Sequence, residues 1–447
     1  MSGNQSPLRA FAVAALCLGL AGAPAVARAS GGSGEGDGNE LLVVVALVAA
    51  VAVAYLLAHL VVGRLQKRFL VLAGFEYILL GALLGGHEHM PYHIPAFANL
   101  ENLFPIVALA VGWVGLLRGM ELSVERMRAG DVAGPARVVV VQALVAGGLT
   151  TAAAYASFRY LGFLEADDRQ RWMAAGVLGC AALAGSFAPV ELLHRRYRLE
   201  GELSDRIRRM AAMSDLLAIV VFGILFCIHH QNSQRALVQP SATEWTVVSV
   251  LLGVLLGILF RPFLGEDDSE NGRFLALVGI ICLASGAAYF LDLSPLFVNL
   301  TLGVVLVNTA RAGPQISATL DSTGQPMKLM LLVVAGALWR PPDVGIAETV
   351  LFVAGYFVLR IFGKWVGTAL ASWRSSLRGD YYRGLLAHGE VSVAMIVSLR
   401  LVYEGPAVDL VYTAILGSVI VSDLLAPRVL RGLLVDTGDL RGEKEAA

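Results

Sequence analysis

The sequence predicts an all-α polytopic membrane protein with about thirteen transmembrane helices. Three observations lead to this prediction: the composition, the long apolar runs, and the placement of basic residues between those runs. Of the 447 residues, 57% are hydrophobic and 15% are charged, and the mean hydropathy is +0.69. Soluble domains carry about 25% charged residues. The formal net charge of −1 argues against nucleic acid as a partner.

The first 29 residues are typical of a secretory signal peptide. Arg9 supplies a basic start, Ala10–Leu20 a short apolar core, and Ala25-Val26-Ala27 or Ala27-Arg28-Ala29 a small-x-small cleavage site. An uncleaved first membrane helix is the alternative. Residues 30–40 are rich in glycine and acidic residues, which is typical of a flexible linker outside the fold.

Thirteen apolar stretches follow the linker, and each is expected to be a membrane helix. Their approximate bounds are 41–62, 69–85, 103–118, 137–158, 172–191, 209–228, 246–263, 274–290, 295–309, 327–339, 349–371, 384–402 and 408–427. The stretch at 327–339 is short and is the weakest of the set. Residues 431–447 are polar and are predicted to form a cytoplasmic tail.

The loop charges agree with this arrangement. Alternate loops are rich in Lys and Arg, and Arg118 is counted with the basic residues of one of them. The loops at 86–102 and 403–407 contain no Lys or Arg. Because basic loops stay in the cytoplasm, the mature N-terminus is expected outside and the C-terminus inside. The loop at 159–171, with three arginines, fits this pattern least well.

Asp215 interrupts an otherwise apolar run from Met210 to Ile228. At about 1.5 Å per residue, its carboxylate lies roughly 7–8 Å inside the apolar boundary. Such a residue usually marks an ion or proton pathway. A structural ion pair or an anchor near the helix end, helped by Arg206, Arg208 and Arg209, is the alternative.

Two stretches make poor continuous helices. In Gly179–Glu191, Pro189 removes an amide and clashes with the preceding turn. In the second, Gly389 stands between His388 and Glu390. Broken membrane helices persist where they line a polar cavity, and transporters place such pairs around a substrate. An ordinary kink with an interfacial Glu390 is the alternative.

Arg360 and Lys364 lie four residues apart, so they share one face of the helix predicted at 349–371. Lys364 could instead extend to the cytoplasmic interface, about 10 Å along the helix. Arg360 is harder to place against lipid and is expected to pair inside the bundle. Weaker polar candidates in other segments are Glu76, Glu121, Asn299, Thr301, Asn308, Ser422 and Asp423.

No metal centre or cofactor is expected from the spacing of metal-binding residues. The four cysteines all lie in apolar runs without metal or redox spacing, and are interpreted as packing residues. Two histidine clusters occur in external loops, and solvated side chains are favoured there over a metal or pH-sensing patch. They are His87, Glu88, His89 and His93, and the pair His229-His230. No nucleophile–base spacing appears in the apolar segments, so the protein is not expected to be an enzyme.

Several motifs together resemble the monovalent cation/proton antiporter superfamily, meaning bacterial sodium/proton and potassium-efflux-type exchangers. They are LGALLG at 80–85, GLLRGMEL at 115–122, SPLFVNLTLGVVLVN at 294–308, GEVSV at 389–393 and SDLLAP at 422–427. Each motif is weak alone, but their order and spacing along the chain make the set fairly specific.

The resemblance implies two inverted five-helix repeats, segments two to six and nine to thirteen, with segments five and twelve as a crossed, broken pair. Within a transmembrane domain at 41–430, core helices at 137–228 and 349–430 would move against scaffold helices at 41–118 and 274–339. It also implies a homodimer in the lipid bilayer of the bacterial inner membrane.

The resemblance places the cation- and proton-binding carboxylate on Asp215, with Lys364 facing it. Na⁺ or K⁺ would exchange for protons there, with Ser214, Ser186 and backbone carbonyls freed at the breaks as neutral ligands. The supporting residues would be Pro189, Gly389, Glu390 and Arg360. Two departures stand out: Ser214 replaces the usual Asn or Asp, and Phe187-Ala188-Pro189 lacks an expected oxygen ligand. A transport-impaired sensor or scaffold and an uncoupled cation channel therefore remain alternatives.

Overall fold

The computed structural model describes residues 72, 74–85, 104–125, 133–160, 162, 167–197, 202–230, 240–261, 270–310, 313–373, 378–437 and 439. All regular structure in these residues is helical, with thirteen α-helices and one 3₁₀ helix at Tyr381–Gly384. The α-helices are α1 (Phe75–Leu84), α2 (Phe104–Met120), α3 (Ala133–Tyr160), α4 (Asp168–Leu183), α5 (Ala188–Tyr197), α6 (Glu202–Ile228), α7 (Ala242–Phe260), α8 (Glu270–Phe290), α9 (Pro295–Thr309), α10 (Gly313–Ala337), α11 (Ile346–Ser372), α12 (Gly389–Val402) and α13 (Pro406–Thr437).

Twelve of the predicted segments coincide with these helices, so the all-α membrane fold is confirmed. The segment at 172–191 comprises two of them, α4 and α5. Seven helical stretches among the described residues have the length and hydropathy needed to cross a bilayer. The first predicted segment, the signal peptide and the linker lie outside the described residues.

Two helices extend by ten residues or more beyond their predicted bounds. α10 begins at Gly313 rather than at 327, and α13 continues to Thr437, within the range predicted as a tail. The first half of α10 carries polar residues that hide it from a hydropathy search. Its Ile316 and Leu320 are nevertheless buried in an apolar cluster with α2, α8 and α9, so packing rather than hydropathy defines this helix.

Side-chain caps fix where several helices start. Asp167 accepts a hydrogen bond from the Gln170 amide at the start of α4. Ser241 and Glu244 form a capping box at α7. Ser294 precedes Pro295, the first residue of α9, and its side chain accepts a hydrogen bond from the Phe297 amide. Such caps satisfy amides that a helix leaves unpaired at its first turn.

The largest apolar cluster of buried side chains joins α1, α2, α9 and α10 with α3, α4, α6, α11, α12 and α13. Two smaller clusters define two groups of helices. One cluster joins α3, α5, α6, α11 and α13. These five helices, together with α4 and α12, are called the first group. Another joins α2 with α7, α8, α9 and α10, which with α1 form the second group. In the second group α2 lies close against α9, since a Cβ on Gly303 would approach the Gly119 Cα to 3.0 Å. Small residues allow membrane helices to approach this closely.

The chain is non-helical at 184–187, between α4 and α5, and at 385–388, before α12. The two breaks contact each other, since the Ser186 amide donates to the Ala387 carbonyl at 3.1 Å. Gly389 adopts φ +74°, and a Cβ there would lie 2.6 Å from the Ser186 Cβ. A side chain is excluded both by this backbone conformation and by the close contact. The predicted crossed pair of broken helices is confirmed.

Candidate functional site

Asp215 lies near the middle of α6, and its side chain is buried. Its Oδ1 accepts a hydrogen bond from the Gly185 amide at 3.1 Å. Gly185 belongs to the first break, where the interruption of the helix exposes this amide. The carboxylate predicted to be functional is therefore held by one of the two broken helices. A buried carboxylate requires compensating charge or hydrogen bonds.

The compensating charge comes from Arg118, at the end of α2. Its Nε lies 3.5 Å from Asp215 Oδ2, its Nη1 is 2.7 Å from Glu121 Oε1, and its Nη2 is 2.6 Å from Glu390 Oε1. One guanidinium thus faces three carboxylates from α6, α12 and the residue following α2. Charge-assisted contacts to both terminal nitrogens are among the stronger polar interactions in proteins.

Sequence reasoning missed Arg118, because it was counted as a cytoplasmic loop cation. One signal was present: Arg118 precedes Glu121 by three residues, so the pair shares a helix face. Its contact with Glu390, on a distant helix, could come only from the tertiary structure.

The charged side chains form a graded path from the surface to Asp215. Lys328 of α10 adds to it, with Nζ 3.3 Å from Glu390 Oε2. The exposed fractions of the side chains fall from 29% at Glu121 and 25% at Lys328, through 15% at Glu390, to 4% at Arg118 and 1% at Asp215. Arg118 therefore lies between the more exposed carboxylates and the buried one.

Arg360 and Lys364 are both fully buried, and they bind the backbone of the two breaks. Lys364 Nζ donates to the carbonyls of Ala184 at 2.7 Å and Leu385 at 2.8 Å. Arg360 donates through Nη1 to the Leu386 carbonyl at 2.6 Å and through Nη2 to that of Ala184 at 2.9 Å. These carbonyls are among those that the breaks release from helical hydrogen bonding.

This arrangement decides between two interpretations of Lys364. Its ammonium lies inside the bundle, so extension to the cytoplasmic interface is excluded. Arg360 likewise lies inside the bundle, as expected. A Cβ on Gly185 would lie 3.7 Å from both Lys364 Nζ and Ser214 Cβ. Lys364 is thus a neighbour of the segment that holds Asp215, whereas the ion-pair partner of Asp215 is Arg118.

Ser186 and Pro189 start the second half of the interrupted helix. Ser186 Oγ accepts from the amide of Ala188, the first residue of α5, at 3.2 Å. This bond satisfies one of the amides that a helix leaves unpaired at its first turn. Pro189 is the second residue of α5, where a helix tolerates proline because its amide would be unpaired. Ser214 is buried next to Asp215 on α6. The first break therefore places Ser186 next to Gly185, whose amide binds Asp215.

His388 anchors the second break. Its Nε2 lies 2.8 Å from Ser418 Oγ and its Nδ1 2.9 Å from Ser392 Oγ. Its ring also lies over that of Tyr356, with 6.1 Å between centroids. Both ring nitrogens have hydroxyl partners, so His388 ties α12 to α13 and fixes the residue before Gly389.

The interpretation of His229-His230 as solvated is wrong for His230. That side chain is buried, stacks on Trp245 at 3.9 Å between centroids, and lies 2.9 Å from the Leu291 carbonyl through Nε2. The end of α6 packs against α7, which the sequence alone did not reveal. No group of three or more potential metal ligands occurs within the described residues. His87, Glu88, His89 and His93 lie outside them.

Comparison with known proteins places this arrangement in a family. The family model for the transmembrane part of sodium/hydrogen exchangers matches residues 77–435, which include both breaks and Asp215. The chain belongs to the sodium/hydrogen exchanger family. The resemblance to monovalent cation/proton antiporters is thereby confirmed.

Solved structures support the fold of this sodium/hydrogen exchanger family member. A structure of the sodium proton antiporter MjNhaP1 from Methanocaldococcus jannaschii at pH 8 matches with a TM-score of 0.59 and 14% identity, covering 90% of this chain and all of that one. An electron-microscopy map of the same antiporter matches with a TM-score of 0.57 and 14% identity, covering 90% of this chain and 99% of the other. None of the curated proteins compared with this chain matches it. At this identity the structural likeness is evidence for the fold alone.

Proposed function

We propose that this exchanger-family protein transports a monovalent cation, Na⁺ or K⁺, in exchange for protons by alternating access at Asp215. One observation carries the proposal. A buried carboxylate lies against an amide of the first helix break, and that break contacts the second. Ionisable residues at this depth usually serve an ion or proton path.

The chemistry needs one group with two alternative occupants. A carboxylate binds either a proton or a hard cation, and each occupant neutralises the charge that would otherwise be costly to bury. If the empty, ionised carboxylate cannot cross between the two sides unloaded, cation movement in one direction requires proton movement in the other. Competition at Asp215 is therefore sufficient for exchange.

Neutral oxygen ligands are expected to complete the cation site. The carbonyls of Ala184 and Leu385 already accept hydrogen bonds from Lys364. We therefore assign the neutral ligands mainly to the hydroxyls of Ser214 and Ser186, which border Asp215 and Gly185. Lys364 and Arg360 stabilise the breaks through their hydrogen bonds to backbone carbonyls.

The movement that alternates access is proposed to occur between the two groups of helices. Asp215 and both breaks belong to the first group, and Arg118 and Lys328 to the second, so sliding of one group would change which side reaches Asp215. We further propose that the protein works as a homodimer in the bacterial inner membrane, with the mature N-terminus outside, as the basic loops suggest.

The test is cation-driven proton flux in proteoliposomes with Na⁺ or K⁺ in turn. The wild type should move protons in response to at least one of the two cations. Asp215→Asn, which keeps the size but cannot bind a proton or cation by charge, should abolish the flux. Arg340→Gln, a change at an exposed residue of another loop, is the control for insertion and folding.

Other outcomes distinguish the alternatives. Cation flux that proceeds without proton movement would indicate a channel. Absence of flux with every monovalent cation, from protein with a normal thermal transition, would favour the transport-impaired sensor or scaffold. Flux that survives Asp215→Asn would remove the carboxylate from the mechanism. Comparing rates with and without an imposed potential would give the stoichiometry.

A further inference from the structure

The helix α10 contains a proline in its interior. Pro326 lies near the middle of its 25 residues. A proline there has no amide to bond the carbonyl four residues earlier, and helices bend at such positions. Gly324 loosens the same turn because glycine has the greatest backbone freedom. Gln325 and Pro326 are both exposed, so little packing opposes bending of α10 at the turn Gly324–Pro326.

The two halves of α10 pack in different apolar clusters. Ile316 and Leu320, before the proline, are buried in the cluster that defines the second group. Four buried residues after it belong to the largest cluster, which contains residues of α12 and α13: Leu331, Leu332, Ala335 and Leu338. The change from one cluster to the other falls between Met327 and Met330, next to Pro326.

Hydrogen bonds tie the second half of α10 to α13 of the first group. Tyr412 donates its hydroxyl to the Ala335 carbonyl at 2.7 Å, and both residues are buried. Trp339, just beyond the end of α10, donates Nε1 to Thr413 Oγ1 at 2.9 Å. Breaking the first bond would leave a buried hydroxyl and a buried carbonyl unpaired, which is unfavourable. This half is therefore expected to stay with α13 when the groups move.

Lys328 and α1 extend this connection. Lys328 Nζ lies 3.3 Å from Glu390 Oε2 of α12. A Cβ on Gly81 of α1 would overlap the Val333 carbonyl, so the backbones of α1 and α10 are in contact and cannot slide freely past each other. The amide of Leu72, ahead of α1, donates to a carbonyl of α13 at 3.3 Å. The helix α1 and the second half of α10 thus form one unit that contacts the first group at several points.

We propose that α10 is the hinge between the two groups, and that it bends at Gly324–Pro326. Its second half and α1 follow the first group, while its first half stays with the second group. This inference rests on the movement between the groups in the proposed function. A hinge of this kind is a short segment that absorbs the backbone change while the bodies on either side stay rigid. The assignment of α10 to the second group by its apolar cluster then applies to its first half.

Two cross-links test which group the second half of α10 follows. Trp339→Cys with Thr413→Cys, joined by a short thiol-reactive linker, should leave cation-driven proton flux in proteoliposomes unchanged, because both positions move together. Ser294→Cys with Ser398→Cys joins α9 of the second group to α12 of the first. The two hydroxyls are 3.2 Å apart, so a disulfide can form there. Closing it should abolish the flux, and reduction should restore it.

Both pairs are made with Cys17→Ser and Cys282→Ser. Cys282 is exposed, Cys17 lies in the predicted signal peptide, and the other two cysteines are buried. Each pair before cross-linking is its own control for folding. If the link between positions 339 and 413 abolishes the flux, α10 follows the second group as a whole and the proposal is overturned.

Changes in the turn test whether bending is required. Pro326→Ala is expected to lower the turnover number by about fivefold or more while raising the thermal transition temperature, because a stiffer helix is more stable and bends more slowly. Gly324→Ala should act in the same direction by about twofold. Its added Cβ would lie 3.3 Å from Leu117 Cδ1, the end of a flexible side chain. Gly286→Ala in α8, where a Cβ meets nothing within 4 Å, should leave turnover unchanged.

Failure of the hinge is distinguishable from failure of the proposed function. Unchanged turnover in Pro326→Ala would overturn the hinge, because transport would not require α10 to bend there. Should that variant not fold, Gly324→Ala and the link between positions 339 and 413 still decide. Flux that persists with the disulfide between positions 294 and 398 closed would remove the movement between the groups, and the hinge with it. Absence of wild-type flux would instead defeat the proposed function.

Discussion

Two buried basic regions flank the candidate site, and they bind different kinds of partner. Arg360 and Lys364 donate to backbone carbonyls of the two breaks, at 2.6 to 2.9 Å in their shortest contacts. Arg118 instead contacts three carboxylates, including Asp215. Both regions neutralise groups that would be unfavourable in a low-dielectric interior.

The difference lies in what their partners can do. A backbone carbonyl cannot take up a proton or bind a passing cation with a full charge, so its need for a donor is constant. A carboxylate can exchange one positive partner for another. The first region is therefore expected to support the architecture of the breaks, and the second to change during transport.

The largest effect is expected from removing a donor to the breaks. Arg360→Leu would leave the carbonyls of Leu386, Ala184 and Ala387 without this donor in the interior. The free energy of unfolding should fall by about 3–5 kcal/mol, as for other buried charged partners that are removed. Thermal unfolding of detergent-purified protein, followed by tryptophan fluorescence, measures this loss. A transition temperature equal to that of the wild type would contradict an architectural role.

A smaller, pH-dependent effect is expected at the carboxylates. Arg118→Gln should lower the free energy of unfolding by about 2–3 kcal/mol at pH 8.5, since ionised acids lose their partner. The ion pairs of the wild type contribute while the acids are ionised, and this contribution is lost as the pH falls. The deficit of the variant should therefore shrink as the pH falls below about 5, where carboxylates begin to take up protons, whereas that of Arg360→Leu should stay nearly constant. Equal pH dependence in both variants would erase the distinction between the two regions.

Removing the Ser186 hydroxyl at the first break should lower the free energy of unfolding by less than a change in either buried basic region. Ser186→Ala removes the hydroxyl that accepts the Ala188 amide and should lower the free energy of unfolding by about 1 kcal/mol. Ser186→Thr keeps a hydroxyl and should restore most of that stability. If Ser186 is also a cation ligand, the alanine variant will show a raised KM for cation, which the threonine variant lacks. A destabilised threonine variant would mean that shape, not the hydroxyl, matters there.

The smallest effect on the free energy of unfolding is expected at an exposed ion pair. Arg383 Nη1 and Asp436 Oδ2 are 2.7 Å apart on the surface of the first group. Asp436→Asn should change the free energy of unfolding by less than about 1 kcal/mol, because water screens such pairs. Transport should not change. A larger loss of stability in the same thermal assay would show that the contribution of an ion pair in this protein depends on the distance between its atoms and not on its burial.

Much of the fold was predictable because hydropathy and helix-breaking residues act locally. Apolar runs predicted twelve of the segments that the structure contains, and Pro189 and Gly389 located both breaks. The first half of α10 was missed because its polar residues carry no hydropathy signal, although Ile316 and Leu320 pack inside. His230 was predicted to be solvated because its burial depends on Trp245 of another helix, a contact that the local sequence does not show.

The sequence by itself determined which residues are charged within apolar segments, and hence that Asp215, Arg360 and Lys364 must find partners inside the bundle. Only the tertiary structure decided which groups bind these three residues. It gave the carbonyls of the breaks to Lys364 and Arg360, and Asp215 to Arg118, which had been counted as a loop residue. The physical reason is that the need for a counter-charge is a property of one buried residue, whereas meeting that need depends on distances between helices far apart in the chain.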